Sequence, residues 1–454
     1  MLLRFRVANH RSIREEQELS LVAVPRQGEA KPKASEIPRT VRVAGIYGAN
    51  ASGKSNVLDA LRWMQWALRG SFTSWSPDGG VPRTCFTLDE ESRKAPSFYE
   101  ADLVDRGVRY SYGFEVTDQE VMGEWLFAFP KGRPQRMFER SKHEQEEDYR
   151  FGRSLTGELQ QIRRLTRPNA LFLSTAASNN HKRLSRLYRA MTQHLKAATQ
   201  NSVEEQSRTR FTTSLLAEEE TADQVNRLVR IADLGISRVR MEKKPVDEEL
   251  LARLTRSFEP EGFPKEFFQT MRDDLSTTLI FTHACAGQPG ELSIDEESDG
   301  TRSWISLVGP LIQVLRQGDV FLVDEIDSSL HPMISSTMIK MFKDPDINPR
   351  GAQLIFASHD TTLLGTMLEN KLLDRDEVWF TEKDAHGATS LFSLAEFRPR
   401  GTENAERGYL QGRYGAVPFV DFSEIRSLFR AIHGVADESA ETVEEEPAPV
   451  IAGP

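Results

Sequence analysis

Residues 48 to 55 read Gly-Ala-Asn-Ala-Ser-Gly-Lys-Ser, which has the residue types and spacing of a phosphate-binding loop. Glycines let the backbone wrap around phosphate groups, and backbone amides and the N-terminus of a following helix supply positive potential. Lys54 is expected to reach the β- and γ-phosphates of ATP, and the Ser55 hydroxyl to bind Mg²⁺. The candidate nucleotide-binding residues in this segment are Gly48, Asn50, Gly53, Lys54, Ser55 and Asn56.

An apolar run ends in two acids at Val320-Phe321-Leu322-Val323-Asp324-Glu325. If this run is a strand of a parallel sheet, it places the acids at the carboxyl edge, where ligands of such sheets bind. Asp324 is then a metal-binding candidate, and Glu325 a general base that polarises the attacking water. Many strands end in surface acids, so it is the pairing with the glycine loop that predicts ATP hydrolysis.

Further polar segments surround these two motifs. Asp-Ser-Ser-Leu-His-Pro at 327–332 follows the acids directly, His359 follows the apolar run Leu-Ile-Phe-Ala-Ser, and Glu-Ser-Asp-Gly-Thr-Arg occupies 297–302. In this order the motifs resemble those of the ABC-type ATPase heads of the SMC, RecF and OLD lineage. The opening segment 5–12 is similar to the N-terminal strand of that lineage, with His10 where Phe is usual.

The resemblance extends to small ATPases of bacterial anti-phage and abortive-infection systems, such as AriA of PARIS and AbiLi. The segments that carry it are 297–301, the residues after Glu325, and Gly-Tyr-Leu-Gln-Gly-Arg-Tyr-Gly-Ala-Val-Pro at 408–418. It covers about residues 1 to 425.

This resemblance implies roles that the motifs alone do not give. His359 would contact the γ-phosphate as part of the catalytic machinery, Asp327 would lie at a dimer interface, and Arg11 would touch phosphate. Ser298 and Gly300 would face the nucleotide of a second subunit, since they stand where the lineage has its Leu-Ser-Gly-Gly-Gln signature. The implied assembly is at least a homodimer with composite ATP sites, and no glutamine between the motifs is identified as the usual Q-loop residue.

The elements that must position these residues alternate along the chain. Strand-like runs occupy most of residues 1–130, with a helix from about Lys54 to Leu68; residues 131–150 are polar and predict a loop, and a helical periodicity covers about 156–275. From Thr278 onward, strands are predicted at Thr278–His283, Val320–Val323 and Gln353–Ala357, and helices at Thr301–Leu315 and Pro332–Phe342. This alternation predicts a parallel sheet. The expected fold is α/β, an ABC-type P-loop ATPase head with a mixed or parallel sheet, an antiparallel β sub-lobe and an inserted helical lobe. The predicted division is 1–130, 131–277, 278–435 and an acidic disordered tail at 436–454.

Composition limits the class of protein. No run of about 20 apolar residues and no secretory signal occur among the 454 residues, so we expect a cytoplasmic protein that does not enter a membrane. Cys85 and Cys285 are far apart and lack partners at metal-binding spacing, which predicts packing roles. The excess of basic residues between 160 and 256 is compatible with a solvated helical surface and with a nucleic-acid interface.

Three functions remain open. The first is an ATPase that dimerises around ATP and acts as sensor or regulator of an anti-phage defence module, controlling a separately encoded TOPRIM-type nuclease or other toxin in response to a nucleic-acid or phage-protein trigger. The second is a RecF- or SMC-like DNA repair or recombination ATPase. The third is a nucleotide-gated scaffold with negligible hydrolysis.

Overall fold

The computed structural model describes most of the chain. The described residues are 1–25, 36–143, 146–232, 235–245, 248–258, 268–269, 272, 276–284, 289–368, 371–397, 404–417 and 422–432. Met1–Ala416 form one compact unit and Val417–Pro454 a second. The predicted acidic tail and Cys285 lie outside the described residues. Within the described part, no helix is long and apolar enough to cross a bilayer.

A six-stranded sheet carries the motif-bearing segments. Its strands are β3 (Val43–Gly48), β9 (Leu195–Ala198), β13 (Val320–Val323), β14 (Gln353–Ala357), β15 (Val378–Lys383) and β16 (Thr389–Ser393), in the spatial order β16-β15-β3-β14-β13-β9. All neighbours are parallel except β15 and β16. Every residue of β3, β13 and β14 is buried, as expected for parallel strands covered on both faces. Because these three strands are parallel, their carboxyl ends meet at one edge of the sheet.

Three helices follow the strands of this sheet or precede them. They are α1 (Lys54–Gly70) after β3, α9 (Asp299–Gln317) before β13, and α10 (Pro332–Lys343) between β13 and β14. The predicted helices and the predicted strands Val320–Val323 and Gln353–Ala357 are confirmed. α1 begins directly at the glycine loop and buries apolar residues at helical spacing, including Val57, Leu61, Met64 and Leu68. Each such side chain contributes about 1.5–3 kcal/mol by burial, which fixes the start of this helix against the core.

A second, antiparallel sheet has seven strands in the order β2-β1-β4-β5-β6-β7-β8. The strands are β1 (Leu2–Ala8), β2 (Gln17–Ser20), β4 (Ser97–Asp105), β5 (Val108–Val116), β6 (Val121–Phe129), β7 (Gln135–His143) and β8 (Glu146–Phe151). This sheet is the predicted antiparallel β sub-lobe, and the short helix α2 (Glu90–Lys94) precedes β4.

The prediction of a polar loop at 131–150 was wrong, because β7 and β8 occupy most of it. Met137 and Phe138 are fully buried, and so is Arg140, whose Nη1 donates to the Ala170 carbonyl at 2.7 Å and lies 4.0 Å from the buried Glu124 carboxylate. Arg140 is a charged residue buried inside a strand, where it is paired, so the polar composition of this segment wrongly predicted a loop.

Helices dominate the segment 159–258, as predicted. They are α3 (Leu159–Leu165), α4 (Phe172–Ser178), α5 (Lys182–Thr192), α6 (Ser202–Leu215), α7 (Glu219–Ile231) and α8 (Glu248–Phe258). Within the same segment, β9 joins the six-stranded sheet beside β13. The division of the chain into four domains stays a prediction.

The strand predicted at Thr278–His283 does not belong to the parallel sheet. It is β11 (Thr277–His283), which pairs antiparallel with β10 (Ile236–Lys243) and β12 (Gly290–Ser293) in a separate three-stranded sheet. Alternation along the sequence could not tell the two sheets apart, because strand patterns carry no information on the pairing partner. Two further helices, α11 (Ala405–Leu410) and α12 (Phe422–Ile432), complete the described elements with 3₁₀ turns at Ile294–Glu296, Thr361–Leu364 and Leu394–Phe397.

Candidate nucleotide-binding site

The glycine loop joins β3 to α1 through two backbone positions that only glycine fits. Gly48 has φ 155° and Gly53 has φ 111°. A Cβ atom at Gly48 would lie 2.5 Å from the Thr381 carbonyl oxygen, and one at Gly53 would collide with the Thr389 side chain. The loop therefore packs directly on β15 and β16. No side chain caps the N-terminus of α1, so its first amides remain available to an anion.

Lys54 is buried beneath this loop and points back into it. Its Nζ donates to the carbonyl oxygens of Gly48 and Ala49 at 3.0 Å each and lies 3.3 Å from His359 Nδ1. Burial lowers the pKa of Lys54, and the nearby carboxylates of Glu325, Asp324 and Asp327 oppose that effect. A buried ammonium surrounded by carbonyl oxygens and acids fits a site built for phosphate oxygens.

Ser55 and Asp324 meet at the edge of the sheet. Ser55 Oγ donates to Asp324 Oδ1 at 2.9 Å. Burial raises the pKa of the Asp324 carboxyl, against the hydrogen bond from Ser55 and the charge of Lys54. A hydroxyl and one carboxylate are the hard oxygen donors that Mg²⁺ takes when phosphates supply further ligands. The described residues contain no group of three or more His, Cys, Asp or Glu side chains that could hold a metal ion.

Glu325 and His359 face the glycine loop from the two neighbouring strand ends. A cavity of about 710 Å³ is lined by Asn50, Ala51, Gly53, Lys54, Ser55, Asn56, Glu325, His359 and Lys383. Glu325 has φ 52°, an uncommon conformation for a non-glycine residue that is held by the Ile326 amide donating to Ala357 O and the Ser328 amide donating to Glu325 O. The structure thus brings the predicted base and the predicted γ-phosphate contact into one cavity with Lys54.

A second cavity, of about 280 Å³, shares Ser55 with the first. It is lined by Arg11, Ser55, Leu58, Asp59, Arg62, Ala197, Ala198, Thr199, Gln200, Asn201, Leu322 and Asp324. Asn56, which lines the larger cavity, donates from its Nδ2 to Ser12 Oγ in the β1–β2 turn at 2.6 Å. Arg11 is therefore placed near the Ser55–Asp324 pair by the structure.

Asp327 is engaged within its own chain. Its two carboxylate oxygens accept from the His359 backbone amide at 3.2 and 3.4 Å. This contact links the segment after β13 to the segment after β14.

The signature-like segment lies elsewhere on the chain. Ser298 caps α9, because its Oγ accepts from the Thr301 amide at 3.2 Å, and the side chain is exposed. At Gly300, an added Cβ would lie 2.7 Å from the Ser329 carbonyl oxygen. Neither Ser298 nor Gly300 lines the two cavities around Lys54 and Ser55. Within one chain, the structure does not bring them to the glycine loop.

Several residues that line the two cavities were missed in the sequence, among them Gln200 and Lys383. Gln200 follows β9, and its Nε2 donates to the Asp324 backbone carbonyl at 3.3 Å. Lys383 ends β15 and is exposed at the mouth of the larger cavity. A short apolar run ending in Thr-Gln-Asn was a usable signal for Gln200, had 195–198 been recognised as a strand. Lys383 had no such signal, since a lysine at a strand end is common.

A family described as "AAA domain, putative AbiEii toxin, Type IV TA system" matches residues 43–365. That span contains Lys54, Ser298, Asp324, Glu325 and His359. Among solved structures, the chain is similar to the Smc head domain with an extended coiled coil bound to the C-terminal domain of ScpA, derived from Pyrococcus furiosus, at 12% identity and a TM-score of 0.34, covering 88% of this chain and 99% of that chain. No curated protein matches this chain.

Proposed function

We propose that this chain, which belongs to the AAA-domain family whose description names the AbiEii toxin and a type IV toxin–antitoxin system, binds and hydrolyses ATP. The observation that supports this most is the convergence of Lys54, Glu325 and His359 on one cavity, with the Ser55–Asp324 pair at its edge. Family membership makes an ATPase the expected class of protein. Hydrolysis by this particular chain is our proposal.

Each side chain has a role that follows from its position. Lys54 would exchange its two carbonyl contacts for phosphate oxygens, which offer a full negative charge to a buried ammonium. Ser55 and Asp324 would hold Mg²⁺, which supplies neutralisation of phosphate charge when bound. Glu325 would accept a proton from the attacking water, and His359 would donate a hydrogen bond to the γ-phosphate. Gln200, whose side-chain amide donates to the Asp324 backbone carbonyl, would help to hold Asp324 in position.

We further propose that the working site is shared between two copies of the chain. Ser298 is exposed at the N-terminus of the 19-residue helix α9, whose first-turn amides carry positive potential. Within one chain it lies away from the glycine loop, so it would reach ATP only on a second copy. Such an interface is isologous, since each copy would give Lys54 to one site and Ser298 to the other.

As a biological role, we propose a sensor or regulator of a defence module that controls a separate toxin or nuclease effector. Its support is the family's printed description, together with the resemblance of the motifs to small anti-phage ATPases. ATP occupancy would then report whether two copies are joined.

Glu325→Gln tests the enzymatic proposal. It removes the base and keeps the shape of the side chain, so ATP turnover should fall about 100-fold or more while ATP binding is kept. Turnover is measured by phosphate release, and binding by equilibrium titration with ATP and Mg²⁺. Lys54→Ala is the matched control, because it should lose binding and turnover together. Wild-type turnover that is absent, or that equals the turnover of Glu325→Gln, would sink the hydrolase assignment.

A further inference from the structure

A fully buried histidine next to the candidate site shares its carboxylate partner with Arg11. His10 Nε2 lies 3.1 Å from Asp59 Oδ2, and His10 Nδ1 lies 2.8 Å from the Tyr99 hydroxyl. The same Asp59 oxygen forms an ion pair with Arg11 Nε at 2.6 Å. Asp59 Oδ2, on helix α1, is thus held between the His10 imidazole on the core side and the Arg11 guanidinium on the cavity side.

The backbone of the β1–β2 turn is fixed independently of this contact. Asn9 and Arg11 both have φ 50°. The Arg11 amide donates to Thr84 O at 2.9 Å, and Ser12 Oγ accepts from Asn56 at the start of α1. With the backbone held this firmly, only the direction of the Arg11 side chain remains to be set.

The direction of Arg11 matters because of what lies beside it. Its side chain is about half exposed and lines the cavity that also contains Ser55 and Asp324. The ion pair with Asp59 uses Nε, and none of the described residues pairs with the terminal Nη1 and Nη2 groups. A guanidinium held by Nε presents its two terminal nitrogens as a fork, the geometry that suits phosphate oxygens.

We propose that His10 is a positioning residue for ATP binding: it holds Asp59 so that Arg11 presents its terminal nitrogens to the phosphates. The inference rests on the proposed function, since it needs ATP in these cavities. Asp59 alone could take other rotamers and turn towards Arg62, whose Nη1 already lies 4.0 Å from the other carboxylate oxygen, Oδ1. The hydrogen bond from His10 removes that freedom. A phenylalanine at position 10 would keep a ring in the core and lose both hydrogen bonds.

The charge state of Asp59 is compatible with this role. Burial by itself would raise the pKa of Asp59, but the hydrogen bond with His10 and the charge of Arg11 together bring that pKa below its usual value. Asp59 is therefore an ionised partner for Arg11 at neutral pH.

The test compares ATP affinity and turnover in a double-mutant cycle. His10→Phe should weaken ATP binding about fivefold and leave kcat within about twofold, because one charge-assisted contact loses its alignment. His10→Gln, whose amide nitrogen can still donate to Asp59, should restore affinity to within about twofold. In an Arg11→Ala background, His10→Phe should have no further effect. Tyr99→Phe, which removes the other hydrogen bond of His10, gives the same comparison if His10→Phe does not fold.

Two results would overturn the inference. One is an equal loss of affinity on His10→Phe or Tyr99→Phe with and without Arg11; the other is unchanged affinity in a folded variant. Both are read against wild-type protein that binds ATP in a Lys54-dependent manner. A wild type that binds no ATP would instead overturn the proposed function itself, and the inference with it.

Discussion

At the scale of single residues, the proposed role of Asp324 and its surroundings have opposite effects on its charge. It must be ionised to bind a metal, yet it sits where burial raises its pKa. A carboxyl with a raised pKa in the folded protein destabilises that protein while ionised. This cost begins to shrink as the pH falls below the raised pKa, where the folded protein takes up a proton before the unfolded chain does, and it is gone below the pKa of the unfolded chain.

Asp324→Asn should therefore make the nucleotide-free protein more stable at neutral pH. The gap to wild type should narrow as the pH falls towards the ordinary Asp pKa of about 3.9. With saturating ATP and Mg²⁺ the order should reverse, because only wild type gains stability from metal binding. Thermal unfolding at several pH values measures all three effects.

The exposed Asp78 provides the control for this prediction. Asp78→Asn should leave the midpoint nearly unchanged under each condition. A lower midpoint for Asp324→Asn than for wild type at neutral pH without ligand would contradict the account.

At the scale of elements, the meeting of motifs follows from the parallel sheet. Once 41–47, 320–323 and 353–357 were recognised as strands, their carboxyl ends had to lie together, so Lys54, Asp324 and His359 could be predicted as neighbours from the sequence. The sequence could not predict that β11 pairs with β10 and β12, nor that Arg140 is buried in β7. The pairing partner of a strand depends on contacts between segments that are distant in the sequence. A charged residue in a buried ion pair cannot be told from a surface residue by composition.

Gln200 shows the same limit at the site itself. Its strand, β9, has only four residues and lies among helices, so periodicity could not separate it from them. Gln200 can be placed beside Asp324 only once the pairing of β9 with β13 is known.

The contact between α9 and the segment after β13 gives a prediction at this scale. Gly300→Ala would place a Cβ 2.7 Å from the Ser329 carbonyl oxygen, so the helix start or that segment must shift. We expect the free energy of unfolding to fall by about 1–3 kcal/mol, as for other overpacked contacts. Denaturant unfolding measures the change.

Gly123→Ala is the matched control, since its nearest neighbour would be at 3.7 Å. It should change stability by well under 1 kcal/mol. If Gly300→Ala and wild type were equally stable, the contact between the start of α9 and Ser329 would not be tight. The claim that this contact fixes Ser298 relative to the segment after Glu325 would then be wrong.

At the scale of the whole molecule, the central claim is that one chain holds half of each ATP site. Lys54 lines the cavity, while Ser298 is exposed at the start of α9 and lies outside it. Asp327, which the resemblance places at a dimer interface, contacts the His359 amide of its own chain. Dimer formation at Asp327 would then affect the position of His359, because the two residues are already in contact within one chain.

Mixing two inactive variants tests this claim most directly. Lys54→Ala lacks the phosphate-binding lysine, and Ser298→Ala lacks the hydroxyl that would contact the ATP held by a second copy. Each alone should have almost no ATP turnover. Mixed in equal amounts, half of the dimers should pair the two variants, and each such dimer has one intact composite site. The account predicts that turnover returns to about a quarter of the wild-type value. Turnover that stays at the level of the separate variants, although both fold and exchange subunits, would contradict a shared site.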